Sequence, residues 1–237
     1  MLFFKLNRYR FFPKTHLRGT IIVIAALFIF LHSQLTAASA TESHRYLQHS
    51  GDNSYYFDWI LDRSDGYLLR AVSDAEEHVT VMDDAWATQR WSLTNTAEDT
   101  AIEAFREGNR IVLQGRFRGE RFDKEMTIDD APWFQSLSSS LRPFLYTPQQ
   151  STEFWTLRPD KLTLHKVRAC KKGREMLKLG HNQVEAHKVE VRLTGIASLF
   201  GSGCYWFRSS DQLLLHYQGP RGLPGIPSTT ITLEPPF

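Results

Sequence analysis

From residue 54 onward, apolar and polar side chains alternate in short stretches that are separated by turns. In Tyr55–Asp62, four apolar side chains occupy odd positions, and two aspartates take even ones. A period of two is that of a half-buried β-strand. About thirteen such stretches follow one another, without the strand–helix alternation that a parallel sheet requires. The sequence therefore predicts a mainly all-β fold.

Turn signals between these stretches indicate how the strands are connected. Glu107-Gly108-Asn109 lies between Ala101–Arg106 and Ile111–Phe117 and is typical of a tight hairpin. Consecutive strands joined in this way form an antiparallel meander, and coiling reduces the exposed edges of such a sheet. We expect a meander coiled into a barrel or half-barrel, with a two-sheet sandwich as the alternative.

One predicted strand changes parity along its length. In Val184–Leu193 the apolar side chains are first even and then odd, which predicts a β-bulge near His187 and Lys188. Upstream, Lys171-Lys172-Gly173 predicts the end of one strand, and Met176–Leu179 predicts a short one after it. Bulges are common where a sheet coils, so the parity change favours the coiled meander.

The period changes to that of a helix in one stretch, Asp129–Phe144. Phe134, Leu137 and Leu141 recur at helical spacing and predict one short amphipathic helix. Pro143 disfavours the helical conformation of its predecessor, so we expect the helix to end there.

A lone amphipathic helix can cover an opening in a curved sheet. Trp133, Phe134, Leu137 and Leu141 would then form the lid of an apolar ligand-binding cavity. The alternative is that these residues and the other aromatic side chains fill the core completely. Of the two, we favour the filled core.

The first forty residues have the three parts of a secretory signal peptide. Five basic residues and no acidic one accompany an apolar run, Ile21–Leu31, and then Ala38-Ser39-Ala40. The apolar run is shorter than the ~20 residues that a membrane-spanning helix needs. We expect cleavage after Ala40 and export to the periplasm. The alternative is an uncleaved segment that anchors the protein in the inner membrane and is its one membrane contact.

The expected mature chain begins with polar residues 41–53, which we predict to be flexible, and continues as a single β-rich domain, 54–237. Cys170 and Cys204 would enter an oxidising compartment and are candidates for a disulfide. The alternative is two buried thiols that never meet, because sequence does not fix the distance between their Cα atoms.

The net charge of the chain depends on its N-terminal segment. Five of the 28 basic residues and none of the 26 acidic residues lie in the first forty, so the remainder carries a formal charge of −3 instead of +2. The apparent basicity therefore belongs to the segment that we expect to be removed, and no binding to nucleic acid is predicted.

Motifs for catalysis and cofactor binding are not found in the sequence. It contains no G-x-S-x-G, H-E-x-x-H, P-loop or dinucleotide-binding pattern. Adjacent carboxylates such as Asp83-Asp84 would point to opposite faces of a strand. No histidine has a distinctive spacing to another metal ligand, so neither a metal nor a cofactor is predicted. The sequence favours a protein that is not an enzyme.

The late hairpin YWFR-turn-LLLHY, at Tyr205–Tyr217, together with the export signal and the meander, resembles a class of uncharacterised exported bacterial proteins. The resemblance implies a β-barrel-like fold and supplies no catalytic residue. An open coiled sheet with a helix over it is also similar in outline to periplasmic lipoprotein carriers, although a shared fold does not imply a shared function.

Three functions are compatible with these observations. The first is non-enzymatic binding of an apolar or amphipathic ligand, such as a lipid, or of a protein partner in the envelope. The second is an envelope hydrolase whose carboxylates are brought together only by folding. The third is a structural assembly factor whose exposed strand edge recruits another envelope protein.

Overall fold

The chain enters its β-sheet in the middle of the sheet. The computed structural model describes residues 41–195, 201–220 and 228–235, so the predicted signal peptide lies outside the described residues. β1 (Thr41–Ser50) pairs with β2 (Asn53–Asp62) on one side and with β14 (Ser228–Leu233) on the other. The remaining strands are β3 (Tyr67–Val72), β4 (Glu77–Met82), β5 (Thr88–Asn95), β6 (Thr100–Glu107), β7 (Arg110–Phe117), β8 (Glu120–Thr127), β9 (Ser151–Arg158), β10 (Thr163–Leu179), β11 (Asn182–Leu193), β12 (Ser202–Arg208) and β13 (Leu214–Pro220).

From β1 the antiparallel meander runs outward in both directions. The order of the described strands is β8-β7-β6-β5-β4-β3-β2-β1-β14-β13-β12-β11-β10-β9. β8 and β9 are therefore the two edges, and the sheet is not closed by pairing between them. The predicted fold class, an antiparallel meander coiled into a barrel or half-barrel, is confirmed.

The expectation that residues 41–53 are flexible is wrong, because most of this segment forms β1. The strand pairs with β2 along its whole length. Its side chains are largely polar, but neighbours on both sides satisfy its backbone hydrogen bonds, which holds it in the sheet. Tyr46 and Gln48 are 1% and 8% exposed. A central strand with few apolar residues escapes a search for alternating hydrophobicity.

One long strand, β10, replaces the two short strands predicted on either side of Gly173. The register of β10 against β11 shifts between Lys171 and Arg174, so an extra residue is absorbed as a β-bulge. Gly173 has a φ of +99°, in the region that favours glycine. On β11 the buried side changes parity between Ala186 and Val189, as predicted, but the inserted residue belongs to β10.

The helical segment lies in the connection between the two edges of the sheet, from β8 to β9. It contains two short helices, α1 (Leu137–Ser140) and α2 (Arg142–Tyr146). The prediction that the helix ends at Pro143 is wrong. This proline lies in the first turn of α2, where its missing N–H needs no partner. Among the described residues, no helix has the length and apolar character needed to cross a membrane.

Two hydrophobic clusters fill much of the interior. The larger cluster joins strands on both sides of β1 to the helices, and Phe154, Phe207 and Leu141 are fully buried in it. The smaller cluster joins β5–β7 to β9, for example through Leu113 and Leu157. β7 and β9 come from opposite halves of the sheet, so this contact shows that the sheet curls back on itself.

Candidate ligand-binding cavity

One end of the curled sheet opens into a cavity of about 810 Å³. Its lining includes residues from the turns that follow β5, β7 and β9, such as Glu98, Arg118 and Pro159. In an antiparallel meander, alternate turns lie at the same end of the sheet, so these turns form the mouth. The volume lies in the range of roughly 300–1,000 Å³ that is usual for small-molecule sites.

The opposite end is closed by residues 132–146, which we call the plug. Trp133 and Trp155 form a parallel bridge, in which the Trp155 backbone makes two hydrogen bonds of 2.8 Å to the plug. On the other side of the plug, the Thr88 N–H donates to the Trp133 carbonyl at 2.8 Å. The plug therefore begins as a short extended segment held between edge strand β9 and the start of β5.

Gln135 extends this contact with its side chain. Its Nε2 donates to the Leu157 carbonyl, and its Oε1 accepts from the Leu157 N–H, both at 3.0 Å. Its own backbone N–H donates to Thr88 Oγ1 at 3.0 Å. The amide side chain thus satisfies backbone groups on the outer side of β9 that would otherwise remain unpaired at a sheet edge.

An ion pair between a buried arginine and a half-buried glutamate joins the plug to β1. Arg142 is 5% exposed and donates from Nη1 and Nη2 to the two carboxylate oxygens of Glu42, each at 2.9 Å. His44 and Arg63 contact the same carboxylate. Burial raises the pKa of Glu42, but hydrogen bonds from His44 and Arg142 and the nearby positive charges outweigh it and lower the pKa to about 2. The carboxylate therefore stays charged, and bound to the plug, down to acidic pH.

Aromatic side chains form the floor between the plug and the cavity. Tyr46 stacks on Phe57 at a centroid distance of 5.4 Å, and its hydroxyl donates to the Leu214 carbonyl at 2.8 Å. Trp59 is 2% exposed and donates from Nε1 to Ser138 Oγ in α1 at 3.0 Å. All five residues line the cavity. Because protein groups satisfy the polar atoms of Tyr46 and Trp59, the rings present apolar surface to a ligand.

A second aromatic pair lines the wall. Tyr205 on β12 and Tyr217 on β13 lie opposite each other, with ring centroids 4.6 Å apart. The Tyr217 ring lies over Gly203 and Gly219, and a Cβ added to Gly203 would come within 2.8 Å of it. The two glycines therefore let the ring approach the backbone closely. Burial raises the pKa of Tyr217 to about 12, so its hydroxyl is neutral at physiological pH.

Charged side chains at the mouth occur in pairs of opposite sign. Arg158 lies 2.6 Å from Asp160, and Arg118 lies 4.0 Å from Glu98. All four residues line the cavity. Pairs of this kind, in which at least one partner is well exposed, add little to stability. They place the charged groups of the cavity at its rim, whereas its floor is aromatic.

The four residues predicted to form a lid all belong to the plug, but they differ in whether they line the cavity. Leu137 lines the cavity. Trp133, Phe134 and Leu141 are buried in the two hydrophobic clusters, Trp133 in the smaller and the other two in the larger. The interior combines the two arrangements considered from the sequence, because it is filled at the closed end and hollow at the open end.

The predicted disulfide does not form, and both cysteines are free. Cys170 on β10 and Cys204 on β12 each pair with Glu190, which lies between them on β11. Two inter-strand spacings place their Cα atoms about 9–10 Å apart, beyond the ~7 Å within which a bridge can close. Burial raises the pKa of the Cys204 thiol, which keeps it protonated.

Several cavity residues were not singled out from the sequence. Tyr46 and Gln48 lie in the segment 41–53, which we predicted to be flexible. The sequence signal for a strand there was weak, because it consisted of these two residues at even positions. Tyr217 is recognisable only with the register, because the glycines beneath its ring lie on two strands. Across residues 41–195, 201–220 and 228–235, no group of three or more His, Cys, Asp or Glu side chains is placed to hold a metal ion.

The curled open sheet is similar to that of β-barrel-like proteins of unknown function. A β-barrel-like protein of the domain of unknown function DUF1849, from Brucella abortus, has a TM-score of 0.56 and 7% identity, and the match covers 84% of this chain and 97% of that chain. This likeness confirms the predicted resemblance to uncharacterised β-barrel-like proteins and, at such low identity, shows the fold alone.

Two further solved structures are more distant. The hypothetical lipoprotein YmcC from Escherichia coli has a TM-score of 0.40 and 12% identity, with 94% of this chain and 100% of that chain covered. A DUF1329 family protein from Desulfovibrio piger has a TM-score of 0.28 and 11% identity, with 90% and 91% covered. No family model and no curated protein matches the sequence.

Proposed function

We propose that this protein binds one apolar or amphipathic molecule in the cavity, as a non-enzymatic protein of the cell envelope. The observation that carries the proposal is the cavity itself, which has an aromatic floor, a charged rim and a volume of about 810 Å³. Water in such a space faces apolar surface, and a ligand that replaces it gains about 25 cal/mol for each Å² of apolar area buried. The basic and apolar N-terminal segment supports export.

The difference between the two ends supports an orientation for the ligand. The plug occupies the closed end, so the ligand enters through the mouth. Its apolar part then lies against Tyr46, Phe57 and Trp59, and its polar part lies toward Arg158 and the other charged groups of the rim. A molecule with one apolar and one polar end fits this arrangement better than a uniformly polar one.

Trp59 provides a direct test, because it lines the cavity. Bromine quenches tryptophan fluorescence at close range, so dibrominated stearic acid should quench the purified protein saturably, at one equivalent. The Trp59→Phe variant should lose most of this quenching. Trp206→Phe is the matched control and should retain it, because Trp206 contacts Lys188 and Glu175 instead.

Two outcomes would contradict the proposal. One is the absence of saturable quenching in the wild-type protein, and the other is equal quenching in the Trp59→Phe and Trp206→Phe variants. Native mass spectrometry of the protein purified gently from its own envelope adds the identity of the ligand. We expect a bound mass that extracts into organic solvent.

A further inference from the structure

One amide side chain that lines the cavity has no hydrogen-bond partner among the described residues. Gln48 is 8% exposed and lines the cavity, but its side chain bonds no other described group. The other buried polar side chains of the lining are satisfied. Thr229 Oγ1 lies 3.0 Å from Ser50 Oγ, and Thr100 Oγ1 donates to the Glu98 carbonyl at 3.2 Å. Gln48 therefore differs from the polar side chains around it.

The position of Gln48 is fixed by the register of the sheet. It lies directly opposite Tyr55 on β2 and Ile231 on β14, so the three side chains share the inner face. Along β1 it lies between Tyr46, in the aromatic floor, and Ser50, near the mouth. Along the inner face of β1, the Gln48 amide therefore lies between the aromatic floor and the rim. A ligand that enters through the mouth meets it there.

The Gln48 amide faces the cavity, so a ligand that covers it without bonding it would bind less well. Burying an amide without a hydrogen bond loses the interactions that it makes with water. The Gln48 side chain offers two N–H donors and one carbonyl acceptor, and it carries no charge. It therefore suits a neutral polar group, whereas the charged groups of the lining, such as Arg158 and Asp160, are at the rim.

We infer that Gln48 donates a hydrogen bond to the carbonyl of an ester or amide in the ligand, whose acyl chain lies on the aromatic floor. This inference rests on the proposed function and narrows the ligand to an acyl chain joined through a neutral ester or amide group. A plain hydrocarbon would leave the Gln48 amide unpaired. For the same buried apolar area, the protein would therefore bind a hydrocarbon more weakly than an ester or amide.

The test compares two probes that differ in this group alone. Dibrominated methyl stearate and dibrominated octadecane, each delivered from cyclodextrin, are titrated against the wild-type protein, Gln48→Met and the control Gln114→Met, with quenching of Trp59 as the readout. Met has nearly the shape of Gln but cannot make the hydrogen bond. We expect Gln48→Met to weaken binding of the ester about tenfold and to leave the alkane unchanged or tighter. Gln114→Met makes the same substitution at an exposed amide that does not line the cavity, and it should shift neither probe.

The outcomes separate this inference from the proposed function. If neither probe quenches the wild-type protein, both are overturned. If both probes bind and Gln48→Met changes their affinities equally or not at all, cavity binding stands, but Gln48 does not recognise the carbonyl, and water satisfies its amide.

A second measurement needs no variant. The infrared stretching band of a ¹³C-labelled ester carbonyl moves to lower wavenumber when the oxygen accepts a hydrogen bond. We expect this shift for methyl stearate bound to the wild-type protein, relative to the same ester in hexane. A bound ester whose band stays at the hexane position would overturn the inference even if Gln48→Met did not fold.

Discussion

The closed and open ends of the sheet are built from inward-facing positions on the same strands, yet one is filled and the other is hollow. On β1, Glu42 is held by the plug, whereas Gln48 lines the cavity. At the closed end, the connection between the two edge strands crosses the interior. At the open end, connections such as Gly51-Asp52 and Arg118-Gly119 are tight turns that do not reach across.

Within residues 41–195, 201–220 and 228–235, the closed end is filled by one connecting segment, the plug, and not by the strands themselves. Side chains that touch the plug contribute mainly to stability, because their neighbours are protein atoms. Side chains that face the cavity contribute less to stability, since part of their surface meets no protein. Paired substitutions, one at each end, can therefore separate stability from binding.

The largest difference is expected between two leucines of the plug. Leu141 is fully buried in the larger cluster, whereas Leu137, one helical turn earlier, lines the cavity. Leu141→Ala should lower the free energy of unfolding by about 3 kcal/mol, because the cavity it creates cannot fill with other side chains. Leu137→Ala should cost about 1 kcal/mol and weaken the binding of dibrominated stearic acid.

Urea denaturation at neutral pH measures the free energy of unfolding for both variants, and Trp59 quenching measures the affinity. Equal losses of stability in Leu141→Ala and Leu137→Ala would show that the two ends are not packed differently. Such a result would remove the basis for assigning the hollow end to a ligand.

The ion pair at the closed end should give the next largest effect. Glu42→Gln leaves the Arg142 guanidinium buried without its carboxylate, and we expect a loss of about 2 kcal/mol. The matched control is Glu77→Gln, which breaks the exposed pair with Arg70 on the sheet surface. Its effect should stay below about 0.5 kcal/mol. A similar loss in both variants would mean that Arg142 does not hold the plug in place.

The strands were largely predictable from the sequence, whereas the cavity was not. The alternation of apolar and polar side chains in stretches such as Tyr55–Asp62 indicates which residues share a face of the sheet. The short turns indicate that consecutive strands are antiparallel neighbours. β1 was missed because pairing on both sides, and not apolar content, holds it. The cavity depends on how far the segment around Trp133 reaches across the sheet, which local periodicity does not encode.

The cysteine pair illustrates the same limit. The disulfide between Cys170 and Cys204 was predicted because the chain has two cysteines and was expected to enter an oxidising compartment. The register, however, places Glu190 of β11 between them. Strand order is a long-range property, and it decides whether two residues meet. For the same reason, Leu137 could be named as a cavity residue from its helical spacing, whereas Gln48 could not be named without the pairing of β1.

Acid should weaken the closed end through Glu42. Its folded pKa of about 2 lies below its ordinary value of 4.5, so its stabilising effect is complete above about pH 4.5 and is lost as the pH falls toward 2. The stability difference between wild type and Glu42→Gln should therefore shrink over this range. Other carboxylates with lowered pKa values, such as Asp129 and Glu190, cancel in the difference. A difference that stays constant from pH 7 to pH 3 would contradict the assignment.

At the open end, Gly203→Ala should have a small effect on stability and a clear effect on binding. The new Cβ would lie 2.8 Å from the Tyr217 ring, which lines the cavity and would have to shift. We expect a stability loss of about 1 kcal/mol, because a side chain and not the backbone gives way. The affinity for dibrominated stearic acid should fall several-fold, since the displaced ring occupies ligand space. With the ring removed in Tyr217→Ala, the same glycine substitution should no longer change the affinity, and an unchanged effect in that background would show that it acts by another route.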